Sequence, residues 1–177
     1  LESAVNAAPQ LLNQDGAVSL TDTDSTDLDG GSILVSRIVG SGAIQDELRG
    51  PGEGAAQDVF GVLDGNGVSV SGNQVSVNGN VIGTIVRDGT NAQPLEIALS
   101  SANATPEAVE AVVAQLSYAN LSDGPTPTRQ IVVQVTDGDG GSTGSQVVTV
   151  NVTPEADSTV VAQGGEEQVN TFVPGSQ

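Results

Sequence analysis

The chain contains no cysteine, histidine, methionine, tryptophan or lysine. Without thiolate and imidazole ligands, the usual zinc, copper, haem and iron–sulfur sites are excluded. The same absences exclude Ser-His-Asp and Cys-His nucleophiles, and the missing lysine excludes Schiff-base chemistry. We therefore expect that the chain is not an enzyme.

Positive charge is scarce as well. Of the 177 residues, 22 are acidic and 4 are basic, which gives a formal net charge of −18. The basic residues are the scattered arginines Arg37, Arg49, Arg87 and Arg129. Nucleic acids and anionic membrane surfaces need clustered cations, so neither is an expected partner. No run of about 18 apolar residues is present, so membrane insertion is not expected either.

The most frequent pattern in the chain is an alternation of valine or isoleucine with polar residues. This period of two, interrupted by Gly, Asn and Asp turns, is typical of β-strands. We predict a first strand at Val18 and Leu20, and tight hairpin turns at Gly72-Asn73 and Asn78-Gly79. About eight such strands indicate an all-β, immunoglobulin- or cadherin-like two-sheet sandwich.

One segment has helical rather than strand spacing. Thr105 offers an N-cap, Pro106 suits the first helical position, and Glu107 adds an acidic residue in the first turn. Apolar residues then follow at helical intervals as far as Leu116. We predict one short helix at about 105–117, lying against the edge of the sandwich.

The domain organisation follows from where these strand signals begin and end. Residues 1–14 are predicted to be a leading linker, residues 15–157 the sandwich, and residues 158–177 an exit linker or the start of a following module.

Eight aspartates occur in clusters that are candidates for metal binding. They are Asp22, Asp24, Asp27 and Asp29; Asp137 and Asp139; and, more loosely, Asp123 and Asp157. Packing like charges together is unfavourable unless a cation neutralises them, and calcium takes six to eight oxygen ligands. Glycines beside the aspartates allow the backbone carbonyls to join such a site. The alternatives are that Asp and Gly simply form turns, or that the acidity serves solubility.

Known calcium loops do not match these clusters. An EF-hand loop that started at Asp22 would need Gly at its sixth position and Glu at its twelfth, where this chain has Asp27 and Ile33. A repeated Gly-Gly-x-Gly-x-Asp nonapeptide is also absent, which excludes a β-roll.

Two stretches nevertheless resemble a known family. The run Thr21-Asp22-Thr23-Asp24-Ser25 is similar to the Asp-x-Asp-Ser motif of cadherins. Residues 108–153, with Ser117-Tyr118-Ala119-Asn120-Leu121-Ser122-Asp123-Gly124 and Asp137-Gly138-Asp139-Gly140-Gly141, resemble the bacterial cadherin-like repeat. That repeat occurs in giant repeats-in-toxin (RTX) adhesins and related surface proteins that are exported by type I secretion. The likeness covers roughly residues 15–157.

The resemblance implies an immunoglobulin-like sandwich with Ca²⁺ at the module ends, as a structural or adhesion module of a large secreted bacterial surface protein involved in biofilm or cell adhesion. It places the Asp22–Asp29 loop and the Asp137–Asp139 loop at one pole, and Asp123 and Asp157 at the other. The leading linker Asn6-Ala7-Ala8-Pro9 lacks the aspartate that the family usually has there.

The expected partners are neighbouring modules of the same chain, with extracellular polysaccharide or the cell surface as further candidates. The expected location is outside the cell, at the bacterial cell surface. The alternative is a calcium-dependent polysaccharide-binding module. Sugar-binding surfaces are usually lined with aromatic side chains, and this chain has only Phe60, Tyr118 and Phe172.

Overall fold

A computed structural model describes residues 8–13, 18–21, 26–39, 43–44, 57–121 and 128–151. These residues form two antiparallel β-sheets and one short helix. The predicted all-β two-sheet sandwich is therefore confirmed. No helix in these ranges is long and apolar enough to cross a membrane.

Eleven strands and one helix follow one another along the described chain. They are β1 (Gln10–Leu11), β2 (Ser32–Val39), β3 (Ala43–Ile44), β4 (Asp58–Val62), β5 (Val68–Ser71), β6 (Gln74–Val77), β7 (Asn80–Asp88), β8 (Leu95–Leu99), α1 (Pro106–Ala114), β9 (Leu116–Asn120), β10 (Thr128–Thr136) and β11 (Gln146–Asn151).

The two sheets differ in width. The smaller has the strand order β1-β9-β4, and the larger has the order β11-β10-β2-β8-β7-β6-β5, with β3 paired to β2. In the larger sheet, β2 lies between β10 and β8, so the strand after the first Asp cluster pairs with the strand before the second. This pairing decides where the candidate site lies.

The core lies between the facing sides of the two sheets. Alternate residues of β2, Ile33 and Val35, are fully buried and pair with Val135 and Val133 of β10. From the smaller sheet, Phe60 contacts the Tyr118 ring with a centroid separation of 5.8 Å. The period-two pattern therefore places one face of each strand in the core, as expected for a sandwich.

The tight turns have the backbone that their sequences predict. Asn78 and Gly79, between β6 and β7, have φ angles of 50° and 82°, which are the left-handed values of a two-residue hairpin turn. Gly72, between β5 and β6, has a φ of 62°. Both predicted hairpins are confirmed.

The helix begins as predicted but ends earlier. The Thr105 hydroxyl accepts a hydrogen bond from the Ala108 N–H, and Val109 and Val112 are fully buried. Helix α1 ends at Ala114, because the Gln115 N–H bonds the Val112 carbonyl in a tighter turn. Leu116 then starts β9 and pairs with Val62, so its assignment to the helix was wrong.

The first strand also lies elsewhere than predicted. Residues 18–20 are not in a strand; the Leu20 N–H instead donates to Glu110 Oε1 of helix α1 at 2.5 Å. The first strand of the fold is β1, which pairs with β9, and Leu12 after it is buried. Strand β1 therefore lies inside the segment predicted to be a linker.

Candidate functional site

Two aspartate-bearing turns meet at one pole of the sandwich. The first Asp turn (residues 26–31) precedes β2, and the second Asp turn (residues 137–141) follows β10. Because β2 and β10 are antiparallel neighbours, with Ser32 opposite Thr136, the start of one strand meets the end of the other. The described parts of the two main clusters therefore lie side by side.

The two turns touch through their backbones. A Cβ atom built on Gly138 would lie 2.5 Å from the Asp29 carbonyl oxygen and 2.8 Å from the Gly31 nitrogen. A Cβ atom on Gly31 would overlap the Thr136 carbonyl group. Gly138 also has a φ of 88°, which side chains other than glycine rarely adopt. The close contact thus requires the glycines that follow the aspartates.

The aspartates also hold the turns themselves in shape. Asp137 Oδ1 accepts hydrogen bonds from the N–H groups of Asp139, Gly140 and Gly141 at 2.9, 3.1 and 2.8 Å. Asp27 Oδ1 accepts from the Asp29 N–H at 3.2 Å. These two oxygens therefore do stabilise turns, as the turn-forming alternative expects. A carboxylate has about four lone-pair sites on two oxygens, so this role leaves Asp137 Oδ2 able to bind a cation.

Buried contacts fix the first Asp turn to the rest of the sandwich. Leu28 is buried, and its N–H donates to the Ala104 carbonyl at 2.9 Å. The Gly30 N–H donates to the Leu99 carbonyl at 3.0 Å. The turn is thus held at both its middle and its end, which fixes the backbone that carries Asp27 and Asp29.

Only half of the candidate ligands fall in the described part of the chain. The structure brings Asp27, Asp29, Asp137 and Asp139 to the same pole, on two touching turns. The other four lie outside the described residues: Asp22, Asp24, Asp123 and Asp157. Among the described residues alone, no group of three or more acidic side chains could hold a metal ion.

The described residues of the two Asp turns carry negative charge only. The ion pairs formed between described residues lie elsewhere: Arg37 and Arg129 pair with Asp58, and Arg87 pairs with Glu96. Carboxylates on touching turns repel one another unless a cation lies near them. The fold therefore brings like charges together at this pole.

A buried ionic cluster was missed by the sequence analysis. Asp58 Oδ1 accepts hydrogen bonds from Tyr118 Oη at 2.5 Å, Asn120 Nδ2 at 2.7 Å and Arg129 Nε at 3.4 Å. Asp58 Oδ2 accepts from Arg37 Nη1. All five residues are buried. Burial and the bond to Asp58 raise the pKa of Tyr118 well above its usual range.

This cluster lies away from the aspartate-bearing turns and joins the two sheets. Asp58 begins β4 and Asn120 ends β9, whereas Arg37 and Arg129 lie near the other ends of β2 and β10 from the turns. The sequence did contain a signal for this cluster. Each arginine lies in an apolar strand and is separated by an even number of residues from inward-facing residues such as Val35, so its side chain is expected to point into the core. We ascribe the cluster to structure, because its polar atoms satisfy one another.

The aromatic residues do not form a sugar-binding platform in the described chain. Phe60 and Tyr118 are both buried in the core, and Phe172 lies outside the described residues. A platform would need rings exposed to solvent. The described structure therefore offers no specific support for the polysaccharide alternative.

Comparisons with known proteins leave the function open. No protein-family model, curated protein or solved structure matches the chain. Function is therefore inferred from the two aspartate-bearing turns and from the resemblance of the sequence.

Proposed function

We propose that this chain is a calcium-binding structural or adhesion module of a large secreted bacterial surface protein, stiffened by Ca²⁺ at its loop clusters. The observation that carries the proposal is the backbone contact between the two Asp turns, at Gly138 and Asp29. Two acidic loops that are separated by more than 100 residues of sequence meet at one pole, as a shared cation site requires.

The described carboxylates do not hold a cation by themselves, so the proposed site needs further ligands beside them. Asp29, Asp137 and Asp139 offer carboxylate oxygens, and the glycine-rich backbone between them offers carbonyl oxygens. Asp22 and Asp24 precede the first Asp turn in the sequence and are the candidates to complete the set. Calcium prefers six to eight such oxygens and needs neither nitrogen nor sulfur ligands.

The chain's own residues would couple such a site to the fold. Leu28 is buried, and β2 and β10 run directly from the two turns into the core. Bound calcium would supply positive charge that offsets the repulsion between the carboxylates. Because the ligands come together only in the folded chain, ligation stabilises that state by RT ln(1 + [Ca]/Kd).

This linkage suits a protein that works outside the cell. Extracellular calcium modules have dissociation constants of about 10⁻⁴–10⁻³ M. At such affinities the pole stays open at intracellular calcium levels and closes after export. The pole at which a neighbouring module of the same chain joins would then be rigid. This rigidity is the stiffening that a surface protein needs.

Isothermal titration of calcium into the chelator-treated protein tests the proposal. We expect uptake with Kd near the extracellular range, and the double variant Asp29→Asn/Asp139→Asn should weaken it by about tenfold or more. Asp88→Asn, exposed at the end of β7 away from the two turns, is the control for loss of acidic charge elsewhere and should bind like the wild type.

Thermal unfolding gives a second measurement. At a hundredfold excess of calcium over Kd the stabilisation is about 2.7 kcal/mol, which raises Tm by about 5–10 °C. No calcium uptake by the wild type, together with a Tm that is the same in calcium and in chelator, would contradict the proposal.

A further inference from the structure

Two Asn-Gly pairs lie at exposed turns of the larger sheet. Asn66-Gly67 stands just before β5, and Asn78-Gly79 joins β6 to β7. Both asparagines have a φ of 50°, and both pairs are exposed to solvent. Within the described residues neither glycine donates a backbone hydrogen bond, so both glycine nitrogens are accessible for a reaction.

The reaction open to such a pair is an intramolecular ring closure. The glycine nitrogen forms a bond to the asparagine Cγ, the bond from Cγ to the amide nitrogen breaks, and ammonia leaves with the glycine proton. Water then adds to either carbonyl carbon of the succinimide ring and gives aspartate or isoaspartate. Glycine favours the first step because it has no side chain to shield its nitrogen. In isoaspartate the main chain passes through Cβ and Cγ, so it is longer by one atom.

Ring closure requires that the turn opens first. The ring includes the bond between the asparagine Cα and its carbonyl carbon, so it fixes the rotation about that bond. A two-residue hairpin turn holds that rotation at a different value, since both of its central residues are left-handed. The rate of reaction therefore depends on how readily each turn opens locally.

The turn at Asn66 is held by few contacts. Gly65 and Val68 exchange two backbone hydrogen bonds at 3.0 and 2.8 Å, and this pair is an isolated bridge rather than part of a strand ladder. The turn precedes β5, which is the outermost strand of the larger sheet. The Asn66 side chain makes no hydrogen bond within the described residues. Local opening of this turn therefore disturbs only a short stretch of backbone.

The turn at Asn78 is held by more contacts. Val77 pairs with Asn80 at the end of the β6–β7 ladder, which continues along both strands. The Asn78 N–H also donates to the Gly67 carbonyl at 2.8 Å. Its side chain packs against Gly67, since a Cβ atom built there would lie 3.2 Å from Asn78 Cγ. This turn must break all of these contacts to open, so it should open less often.

We propose that Asn66 deamidates spontaneously in the folded protein, that it does so before Asn78, and that isoaspartate at this position loosens the start of β5. The longer main chain prevents Gly65 and Val68 from exchanging both hydrogen bonds across a two-residue turn. Val68 is only 3% exposed in the intact turn, so its displacement also brings apolar surface into contact with water.

Peptide mapping by mass spectrometry, after storage of the full chain for several weeks in warm, mildly alkaline buffer, tests the order of reaction. One tryptic peptide, between Arg49 and Arg87, contains both Asn-Gly pairs. In the folded protein Asn66 should convert at least about fivefold faster than Asn78, whereas in urea, which removes both turns, the rates should be similar. Equal or faster conversion at Asn78 in the folded protein overturns the proposal. Conversion at Asn66 that is no faster than at Asn91, which alanine follows, overturns it too.

Hydrogen exchange measures the effect on β5. The Val68 amide of the stored wild type should exchange about tenfold or more faster than in fresh protein, because it loses its bond to Gly65. Fresh Asn66→Asp is the matched control, since it adds the carboxylate without lengthening the main chain and should exchange like the fresh wild type. Stored Asn66→Gly tolerates the left-handed turn, lacks the amide and should keep its protection. Unchanged Val68 exchange in a sample rich in isoaspartate, or equally fast exchange in fresh Asn66→Asp, overturns the proposed loosening of β5.

Discussion

Tyr118 is the one tyrosine in the chain, and lysine and cysteine are absent. Because arginine keeps its proton to above about pH 12, Tyr118 is the only side chain expected to titrate between about pH 9 and pH 12. Its hydroxyl is buried and donates to Asp58 Oδ1 at 2.5 Å. The stability of the protein in alkaline solution should therefore report on this one group.

The direction of the effect follows from the pKa shift. Burial, and then the hydrogen bond to Asp58, raise the pKa of Tyr118 in the folded chain. In the unfolded chain the pKa is about 10. The contribution of Tyr118 to stability is therefore complete below about pH 10, and it is lost as pH rises toward the higher folded-state pKa.

The size of the loss follows from proton linkage. Once the unfolded chain has released the tyrosine proton and the folded chain has kept it, stability falls by about 1.4 kcal/mol per pH unit. The free energy of unfolding should then be lower by about 1.4 kcal/mol at pH 11 and by about 2 kcal/mol at pH 11.5. Tyr118→Phe removes the titrating group, so its stability should stay nearly level over this range.

Urea unfolding of both proteins between pH 8 and pH 11.5, at constant ionic strength, measures the two slopes. Tyrosinate absorbance of the wild type in the same buffers reports ionisation directly, and it should appear only as the protein unfolds. A wild-type stability that is level to pH 11.5, a Tyr118→Phe slope equal to that of the wild type, or tyrosinate at pH 10 in the folded protein would each refute the reasoning.

Other perturbations should act at single sites. Asp58→Asn leaves two buried arginines without their carboxylate, so urea unfolding should show a loss of about 3–5 kcal/mol; a loss below about 1 kcal/mol would contradict this. Gly138→Ala forces a positive φ and a clash with the Asp29 carbonyl, so we expect at least about 2 kcal/mol less stability and weaker calcium binding. Hydrogen bonds from the Thr90 hydroxyl and N–H lower the pKa of Asp88. Thr90→Ala should therefore raise the pKa of Asp88 in an NMR titration, and less of the protein's stability should be lost on acidification. An unchanged Asp88 titration would count against this prediction.

Local patterns in the sequence predicted much of the fold. The alternation of valine and isoleucine identified the strands on either side of Asn78-Gly79, and Thr105-Pro106 identified the start of α1. These features depend on neighbours in the sequence, so they can be found without knowing the tertiary structure. The end of α1 could not, because Leu116 fits a helical stripe as well as it fits a strand, and pairing with Val62 in β4 decides between them.

Features set by distant contacts were not accessible in this way. Nothing near Val18 and Leu20 in the sequence shows that Glu110 of the helix binds the Leu20 backbone in place of a strand partner. The Asp58 cluster likewise needs four strands to be aligned before its members meet. From the sequence, only the family resemblance led us to expect that the two aspartate-bearing turns meet. In the described structure they meet because Ser32 pairs with Thr136.

The placement of Arg37 and Arg129 in the interior has a consequence for long assemblies. With both guanidinium groups enclosed beside a single carboxylate, the solvent-facing part of the chain is more negative than the formal count of −18. A string of such units would behave as a polyelectrolyte, whose segments repel one another in dilute salt and keep the string extended. Added electrolyte would screen that repulsion and shorten the string without any change inside each unit.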